Sequence, residues 1–272
     1  MSVKDESLLG KPTDYSFTYD PNLLFPIPRN ENRDELGISS SELPFCGVDR
    51  WTAYEFSWLN EKGKPQVAIL ECDFPCESKN IIESKSFKLY LNSFNQSRFS
   101  SQGDVVSILV NDLSNASGAT VSVKAFDVDK YMFEAPCNYK LIDELDVACK
   151  DYEPNSQLLE LLSGKVEQRL CTHLFRSLCP VTGQPDWASV YIHYKGKGIQ
   201  LESLLAYLVS FRDHQGFHEQ CVEQIYIDLQ QVCQPELLEV YARYTRRGGL
   251  DINPQRSTTD QSAILNIRLA RQ

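Results

Sequence analysis

Residues 51–58 read Trp-Thr-Ala-Tyr-Glu-Phe-Ser-Trp, and from Tyr54 onward an aromatic side chain stands at every second position. Because side chains alternate between the two faces of a β-strand, this spacing predicts a strand with one aromatic face. Residues 60–65 contain the turn formers Asn, Gly and Pro, and residues 66–71 return with apolar and β-branched side chains. The whole segment is therefore predicted to be a β-hairpin.

Two helices and a third strand are predicted after this hairpin. Apolar side chains at helical spacing indicate one helix over residues 84–95 and another over about 104–113. Alternation returns over residues 121–126 and predicts a strand there. The first half of the chain thus has the predicted order strand, strand, helix, helix, strand.

The second half of the chain resembles the first. We predict a strand over residues 187–194, a Lys-Gly-Lys-Gly turn after it, a helix over 217–233 and a strand over 238–244. The segment Tyr-Leu-Val-Ser-Phe at 207–211 echoes Tyr-Leu-Asn-Ser-Phe at 90–94, 117 positions earlier. We interpret this similarity as the duplication of one α+β module.

The predicted domain boundaries follow from composition. Prolines at positions 21, 26, 28 and 44 interrupt residues 1–44, which we interpret as an N-terminal arm over the surface. The two modules are expected at residues 45–135 and 156–272. Between them, the acidic and proline-interrupted stretch 136–155 is expected to be a linker.

Composition and charge exclude several classes of protein. The chain has 272 residues, of which 42% are hydrophobic and 24% charged, so extensive disorder and a coiled coil are excluded. The net charge of −10 disfavours a broad contact with nucleic acid, and no direct nucleic-acid partner is expected. There is no apolar run long enough for a membrane helix and no secretory leader pattern. We therefore expect a cytoplasmic protein whose nine cysteines are reduced.

One segment has the features of a nucleophilic site. Residues 179–186 read Cys-Pro-Val-Thr-Gly-Gln-Pro-Asp, which places Cys179 in a turn before a strand and an acid seven positions later. Backbone N–H groups or a cation near such a turn favour the reactive thiolate. A buried loop cysteine without a chemical role is an equal alternative.

Three other segments carry polar groups suited to ligands. Residues 83–90 open a helix with Ser84 as the predicted N-cap, where N–H groups and two lysines suit an anion. Residues 217–219, Phe-His-Glu, begin the last long helix, and residues 246–249, Arg-Arg-Gly-Gly, suit a phosphate. A solvated helix start, an acid that only complements the helix dipole and an exposed turn are the alternatives.

A metal site is disfavoured by the sequence. His214, His218 and Cys221 stand at helical spacing, which is a possible zinc face. However, no second cluster of cysteine and histidine completes a set of four ligands. The sequence also lacks a Rossmann fingerprint, a P-loop and a serine-hydrolase motif.

Four of these segments together resemble the NADPH-dependent nitrile reductases of queuosine biosynthesis, the QueF family of 7-cyano-7-deazaguanine reductases. They are residues 83–90, 179–186, 217–219 and 246–249. The first lies in the N-terminal module and the catalytic ones in the C-terminal module, which is the layout of the long, two-module form. The resemblance implies two tandem tunnelling-fold modules, each an antiparallel sheet with two helices on one face. It also implies a homodimer with sites at module boundaries.

The resemblance implies a role for each site residue. The Cys179 thiolate attacks the nitrile carbon to give a covalent thioimide, and Asp186 supplies the proton that the nitrile nitrogen needs. Two molecules of NADPH, as co-substrates, then give first an imine and finally the amine without a metal. The guanine-like edge of the substrate calls for carboxylate acceptors. The implied substrate-binding residues are Ile82, Glu83, Ser84, His218 and Glu219, and the implied cofactor-binding residues are Ser84, Lys85, Arg247 and Gly248.

Three alternatives stay open at this point. A cyclohydrolase-like enzyme of the same fold would need a zinc site. A hydrolase would pair Cys179 with His218 or His173 and would act without NADPH. A purine-binding or tRNA-associated protein would keep Glu83 and Glu219 but would need neither the thiol nor the general acid.

Overall fold

The structure, a computed structural model, describes residues 18–39, 42–134, 138–260 and 266–272. It has a mixed α+β fold in which most strand pairs are antiparallel. The chain divides into two compact units. The first contains the described residues up to Glu35 with Asp49–Met132 and Arg246–Asp251, and the second contains Leu36–Val48, Phe133–Thr245 and Ile252–Gln272.

The first unit has the predicted order of strand, strand, helix, helix, strand, preceded by a short N-terminal region. Its elements are a 3₁₀ helix (Pro21–Leu23), β1 (Pro26–Pro28), α1 (Asn30–Glu35), β2 (Cys46–Leu59), β3 (Pro65–Pro75), β4 (Asn80–Ile82), α2 (Ser84–Ser93), α3 (Gln102–Ser117) and β5 (Ser122–Phe126). The sheet order is β5-β3-β2, and β1 pairs separately with β4.

The aromatic side chains of β2 form the core of this unit, as the alternation predicts. Phe56 and Trp58 are both buried, and the Phe56 ring packs edge to face on Phe94, with centroids 5.3 Å apart. At the start of the strand, Trp51 packs in the same manner on Phe87 of α2, at 5.1 Å. The helix following the hairpin is therefore held against the sheet by ring contacts.

The described part of residues 1–44 differs from the expected surface arm. β1 pairs with β4, and its Ile27 is buried. In α1, the buried Arg33 donates a hydrogen bond to the carbonyl of Cys76. Prolines are tolerated in β1 because it pairs on one side only. Residues 1–17 and 40–41 lie outside the described residues, and the boundary at residue 44 stays a prediction.

The second unit contains two long strands followed by two helices and further strands. Its elements are β6 (Lys140–Leu141), a 3₁₀ helix (Ser156–Leu158), β7 (Leu161–Leu178), β8 (Pro185–Ile199), α4 (Leu201–Val209), a 3₁₀ helix (Ser210–Asp213), α5 (His218–Cys233), β9 (Leu237–Tyr244) and β10 (Leu250–Ser257). The order is β10-β9-β8-β7-β6. The short β6 runs parallel to β7, whereas β7, β8, β9 and β10 pair antiparallel in turn.

Part of the expected linker contributes to this sheet. β6 pairs with β7, and Ile142 next to it is buried. Residues 135–137 lie outside the described residues. The linker assignment over 136–155 stays a prediction for the rest of the segment.

The predicted turn at residues 195–198 is wrong. β8 continues through it and remains paired with β7. A Cβ on Gly196 would lie 2.9 Å from the Cα of Pro235, and one on Gly198 would lie 3.3 Å from the Cβ of Leu162. These glycines therefore permit close approach to an extended strand and do not reverse the chain.

The same hydrogen bond recurs in the two units. The hydroxyl of Tyr90 donates to Oδ2 of Asp112 over 2.7 Å, and the hydroxyl of Tyr207 donates to Oδ2 of Asp228 over 2.6 Å. In each case the bond joins the two helices of one unit. The helices α2 and α4 begin 117 positions apart, the same spacing as in the sequence echo. These matched contacts support a duplicated module.

The helices are short compared with the thickness of a bilayer. The longest described ones, α3 and α5, have 16 residues each. Within the described ranges, none has the length and apolar character needed to cross a membrane.

Candidate active site

Cys179 lies in the tight turn between β7 and β8. Its N–H donates to the carbonyl of Gln184 over 2.8 Å, and its carbonyl accepts from the N–H of Gly183 over 2.9 Å. Gly183 has a φ of +67°, a conformation that favours glycine and closes the turn. The turn fixes the cysteine at the end of the strand pair, where its side chain is buried.

Asp186 stands next to this turn on β8. It pairs with Ser177 of β7, and it is buried. Its Oδ2 lies 3.4 Å from Nε2 of His218, the first residue of α5. The strand pair and the helix therefore bring a carboxylate and an imidazole together.

The segment before α5 is bonded to the end of β7. The N–H of Leu178 donates to the carbonyl of His214 over 2.8 Å, and the N–H of Gly216 donates back to the carbonyl of Leu178 over 3.1 Å. A Cβ on Gly216 would lie only 2.8 Å from Nε2 of His214, so a larger residue at position 216 would force the His214 side chain to shift. Leu178 precedes Cys179, and the cysteine turn and the start of α5 consequently meet at one end of the sheet.

Sequence reasoning missed a residue in this cluster. Tyr244 at the end of β9 is fully buried, and its ring lies parallel to that of His218 within 2°, with centroids 3.6 Å apart. On its other edge, Nδ1 of the imidazole lies 3.3 Å from the backbone carbonyl oxygen of Ile252. The alternation of β9 predicts only that Tyr244 is buried, so no pattern in the sequence could identify this contact.

Two further groups of the second unit lie in the first turns of α5. Glu219 is buried, and the preceding Phe217 N–H is capped by the side chain of Gln220 over 2.8 Å. Burial raises the pKa of the nearby Cys221 thiol to about 12, and the charges of Asp186 and Glu219 add to this effect. Cys221 therefore stays protonated near neutral pH and is a poor nucleophile.

In the first unit, Glu83 and not Ser84 is the N-cap of α2. Its carboxylate accepts hydrogen bonds from the N–H groups of Lys85 over 2.7 Å and Ser86 over 2.8 Å. Burial raises the pKa of Glu83, whereas these two hydrogen bonds and the charges of Lys88 and Lys85 lower it, and burial is the larger effect. The N–H groups of Lys85 and Ser86 are therefore not free to bind an anion, and the prediction of an anion site on them is wrong.

The other predicted residues of the first unit lie around this helix start. Ile82 ends β4 and is buried, whereas Ser84 and Lys85 are half-buried. A Cβ on Gly248 would lie 3.4 Å from Cε of Lys88, so the Arg-Arg-Gly-Gly loop passes beside α2. The loop is a tight turn in which Arg247 and Leu250 exchange backbone hydrogen bonds. Cationic side chains and exposed glycine backbone here fit the phosphates of a nucleotide.

Comparison with known proteins finds family models and relatives that match this chain. Residues 15–125 match the family model described as nitrile reductase, 7-cyano-7-deazaguanine-reductase N-term, and residues 185–263 match the model described as QueF-like protein. Two relatives are named NADPH-dependent 7-cyano-7-deazaguanine reductase. The protein from Hydrogenovibrio crunogenus is 52% identical over 100% of this chain and 98% of its own length. The protein from Burkholderia orbicola is 54% identical over 98% of this chain and 99% of its own length.

The chain belongs to the 7-cyano-7-deazaguanine reductase family. A third relative of the same name, from Dechloromonas aromatica, is 53% identical over 98% of this chain and 95% of its own length. In this member of the family, the predicted site residues divide between the units. The second unit holds Cys179, Asp186, His218 and Glu219, and the first unit holds Ile82, Glu83, Ser84, Lys85, Arg247 and Gly248.

The alternatives to this family have little geometric support. Within the described ranges, no group of three or more histidine, cysteine or acidic side chains could hold a metal, and the zinc face at His214 and His218 is not formed. His173 bonds to Oγ of Ser189 over 2.7 Å. In the described part of the chain, the Cys179 side chain has no hydrogen bond to a histidine, as a cysteine hydrolase would need.

Proposed function

We propose that this reductase converts the nitrile of 7-cyano-7-deazaguanine to the primary amine of 7-aminomethyl-7-deazaguanine, a step of queuosine biosynthesis. The relatives that carry this activity in their names align with the chain over nearly its whole length. Each nitrile consumes two hydrides and two protons, so the site must make the nitrile carbon a better acceptor of hydride and must supply protons. The juxtaposition of Cys179 and Asp186 across one β-hairpin is the observation that carries the proposal.

Cys179 acts as the nucleophile in this proposal. Its thiolate attacks the nitrile carbon, a C–S bond forms, and one π pair of the C≡N bond moves to nitrogen. Asp186 gives that nitrogen a proton, which produces a neutral thioimide. The contact between Asp186 and His218, at 3.4 Å, lets the imidazole return a proton to the carboxylate. The thioimide carbon accepts hydride more readily than the nitrile carbon does.

The thiol is recovered during the reaction. After the first reduction, the C–S bond of the hemithioaminal breaks, the electron pair leaves with Cys179, and an imine remains for the second reduction. Bound NADPH supplies the hydride for both reductions. We assign its phosphates to the side chains of Lys85 and Arg247 and to the backbone at Gly248, with Ser84 beside them. Since Glu83 already accepts hydrogen bonds from two N–H groups of α2, we assign most of the phosphate binding to these cationic side chains.

The substrate is held by buried carboxylates. A guanine-like edge presents N–H donors side by side, and we assign their acceptors to Glu219 and Glu83, both of which are buried. A hydrogen bond to a carboxylate is stronger at a site of low dielectric constant. His218 and Ile82 are proposed to contact the base, and Ser84 to bind it from the start of α2.

The assembly is part of the same proposal. We infer that each module, at residues 45–135 and 156–272, is a tunnelling fold, and that the protein is a cytoplasmic homodimer. Both units have an antiparallel strand pair beside two helices, which supports the assignment. The substrate is a free base, so the protein needs no contact with nucleic acid, in agreement with its net charge of −10.

The test is NADPH oxidation by the purified protein given 7-cyano-7-deazaguanine. We expect two NADPH consumed per nitrile, no turnover in Cys179→Ala, and normal turnover in the control Cys149→Ala, whose half-buried thiol lies outside the site. Asp186→Asn, which removes the proposed proton donor, is expected to slow formation of the covalent adduct, followed by intact mass, and therefore to lower the rate of reduction. Turnover by Cys179→Ala would overturn the mechanism. Conversion of the nitrile without NADPH would favour a hydrolase.

A further inference from the structure

We propose that Tyr244 is a positioning residue that holds the imidazole of His218 against Asp186. This inference rests on the proposed function, because it concerns the group next to the proposed acid. The two rings are parallel within 2° and their centroids are 3.6 Å apart. Aromatic rings ordinarily prefer an offset or edge-to-face contact at longer distance. A parallel stack this close therefore requires that the surroundings hold both rings in place.

Tyr244 itself is fixed from several directions. It pairs with Ala188 of β8, its N–H donates to Oδ1 of Asn253 over 3.1 Å, and its carbonyl accepts from Nε2 of Gln272 over 2.7 Å. Its ring meets Phe175 edge to face, with an interplanar angle of 89° and centroids 6.2 Å apart. The ring is fully buried and presents a rigid flat surface to α5.

This surface determines the plane of the His218 ring. The two ring nitrogens then point in opposite directions within that plane, Nε2 toward Oδ2 of Asp186 at 3.4 Å and Nδ1 toward the carbonyl of Ile252 at 3.3 Å. Stacking fixes the tilt of the imidazole, and the two polar contacts fix its rotation. Without the stack, the ring could tilt about its side-chain bonds and lose the alignment with the carboxylate.

The ring of Tyr244 performs this role, and its hydroxyl takes no part in it. Within the described residues, the hydroxyl is buried and has no hydrogen-bond partner. Burial, together with the nearby charges of Asp186 and Glu219, raises the pKa of Tyr244 well above its ordinary value. The phenol therefore keeps its proton during the reaction. Tyr244→Phe is consequently expected to retain the positioning effect, and Tyr244→Leu is expected to remove it.

The stack has a spectroscopic signature that requires neither substrate nor cofactor. Protons above the face of an aromatic ring are shielded, so the ring-proton signals of His218 should lie upfield in the NMR spectrum of the full chain. His218→Asn identifies those signals among the four histidines. We expect the shielding to persist in Tyr244→Phe and to disappear in Tyr244→Leu. The matched control is Tyr241→Leu. Tyr241 is a buried residue of the same strand whose ring stacks on Tyr191, and its replacement should leave the His218 signals unchanged.

Kinetics give the second readout. We expect Tyr244→Leu to lower kcat for nitrile reduction by about 10- to 100-fold, the usual cost of a misplaced catalytic group. Tyr244→Phe should restore kcat to near the wild-type value, and Tyr241→Leu should leave it unaltered. KM for NADPH is expected to stay the same in all three variants, because residues 241 and 244 belong to the second unit and the proposed cofactor residues to the first.

Each outcome decides the inference. Unshielded His218 signals in the wild-type protein would overturn it, and this test remains available if Tyr244→Leu fails to fold. Equal losses in Tyr244→Phe and Tyr244→Leu would assign the effect to the hydroxyl, and wild-type kcat in a folded Tyr244→Leu would also contradict the proposal. If the wild-type protein does not reduce the nitrile, the proposed function fails, but the NMR comparison still decides the positioning.

Discussion

Glu83 combines two demands in one carboxylate. It caps α2 by accepting two backbone hydrogen bonds, and it is also a proposed acceptor for the substrate. A serine is a common N-cap, which is why Ser84 is the natural prediction from sequence, yet the observed cap stands one position earlier. Sequence patterns do not reveal that the side chain of Glu83, which stands between β4 and α2, is buried.

The burial of Glu83 predicts a pH-dependent stability. Its pKa in the folded protein is raised above the ordinary 4.5, so the stability that it contributes is complete below pH 4.5 and is lost as the pH rises through the raised value. Glu83→Gln removes this loss. We expect the variant to gain stability relative to wild type between pH 4 and pH 8, by about 1.4 kcal/mol for each unit of pKa elevation.

Urea unfolding of both proteins across that range is the measurement. Glu202→Gln, at an exposed position in the first turn of α4, is the matched control for loss of a helix-terminal charge. A constant difference between Glu83→Gln and wild type from pH 4 to pH 8 would contradict the assignment. The same variant is expected to bind the deazapurine less tightly, because one carboxylate oxygen becomes an N–H donor.

At the level of elements, the strands were harder to predict than the helices. The predicted helices at 84–95 and 217–233 agree closely with α2 and α5. β7 was missed because its first half is largely exposed on both faces and a register shift between Thr172 and Phe175 breaks its alternation. β10 was missed for a different reason, since it is buried along its whole length although it contains several polar side chains.

Gly196 provides a test of the long β8 strand. A Cβ there would lie 2.9 Å from the backbone Cα of Pro235, which cannot move aside as a flexible side chain can. We expect Gly196→Ala to lower the free energy of unfolding by about 1–3 kcal/mol, the usual cost of overpacking. Gly103→Ala, in the first turn of α3, has its closest neighbour at 3.6 Å and should be neutral or slightly stabilising.

Thermal and denaturant unfolding of the two alanine variants makes the comparison. Equal stability of Gly196→Ala and Gly103→Ala would mean that the chain turns at residues 195–198, as the sequence alone predicts. A selective loss at Gly196 supports the continuous strand.

For the whole molecule, two observations indicate the duplication. They are the five-residue echo at 90–94 and 207–211 and the Tyr–Asp hydrogen bond that recurs in each unit. The two Tyr–Asp pairs are equivalent but have different neighbours. Oδ2 of Asp112 also accepts a hydrogen bond from the hydroxyl of Tyr19 over 2.6 Å, whereas within the described residues Oδ2 of Asp228 accepts from Tyr207 alone. The other oxygen of Asp228, Oδ1, accepts a hydrogen bond from the side chain of Gln224 over 2.9 Å.

This asymmetry predicts unequal effects of the same substitution. Tyr207→Phe leaves a buried carboxylate oxygen of Asp228 without its donor and is expected to cost about 2–3 kcal/mol. Tyr90→Phe leaves Asp112 bonded to Tyr19 and is expected to cost about 1 kcal/mol. Denaturant unfolding of each single variant measures the difference. A larger loss for Tyr90→Phe would contradict this account of the two pairs.

The division of the chain could be predicted only in part. Composition and the internal repeat indicate two modules, and the four motifs separate the site residues between them. What they cannot reveal is that Arg246–Asp251 belongs to the first unit although it follows nearly all of the second in sequence. Such membership depends on which segments meet after folding, and local spacing contains no information about that.

The late position of this segment affects how the protein is made. The ribosome releases the chain from its N-terminus, so the hairpin and helices of the first unit emerge before any of the second module. Their last piece, residues 246–251, leaves the exit tunnel only after α5 and β9. The first unit must therefore wait, unfinished, while its neighbour is synthesised. A truncated translation product that ends at the linker would lack the Arg-Arg-Gly-Gly loop and would therefore contain an incomplete first unit.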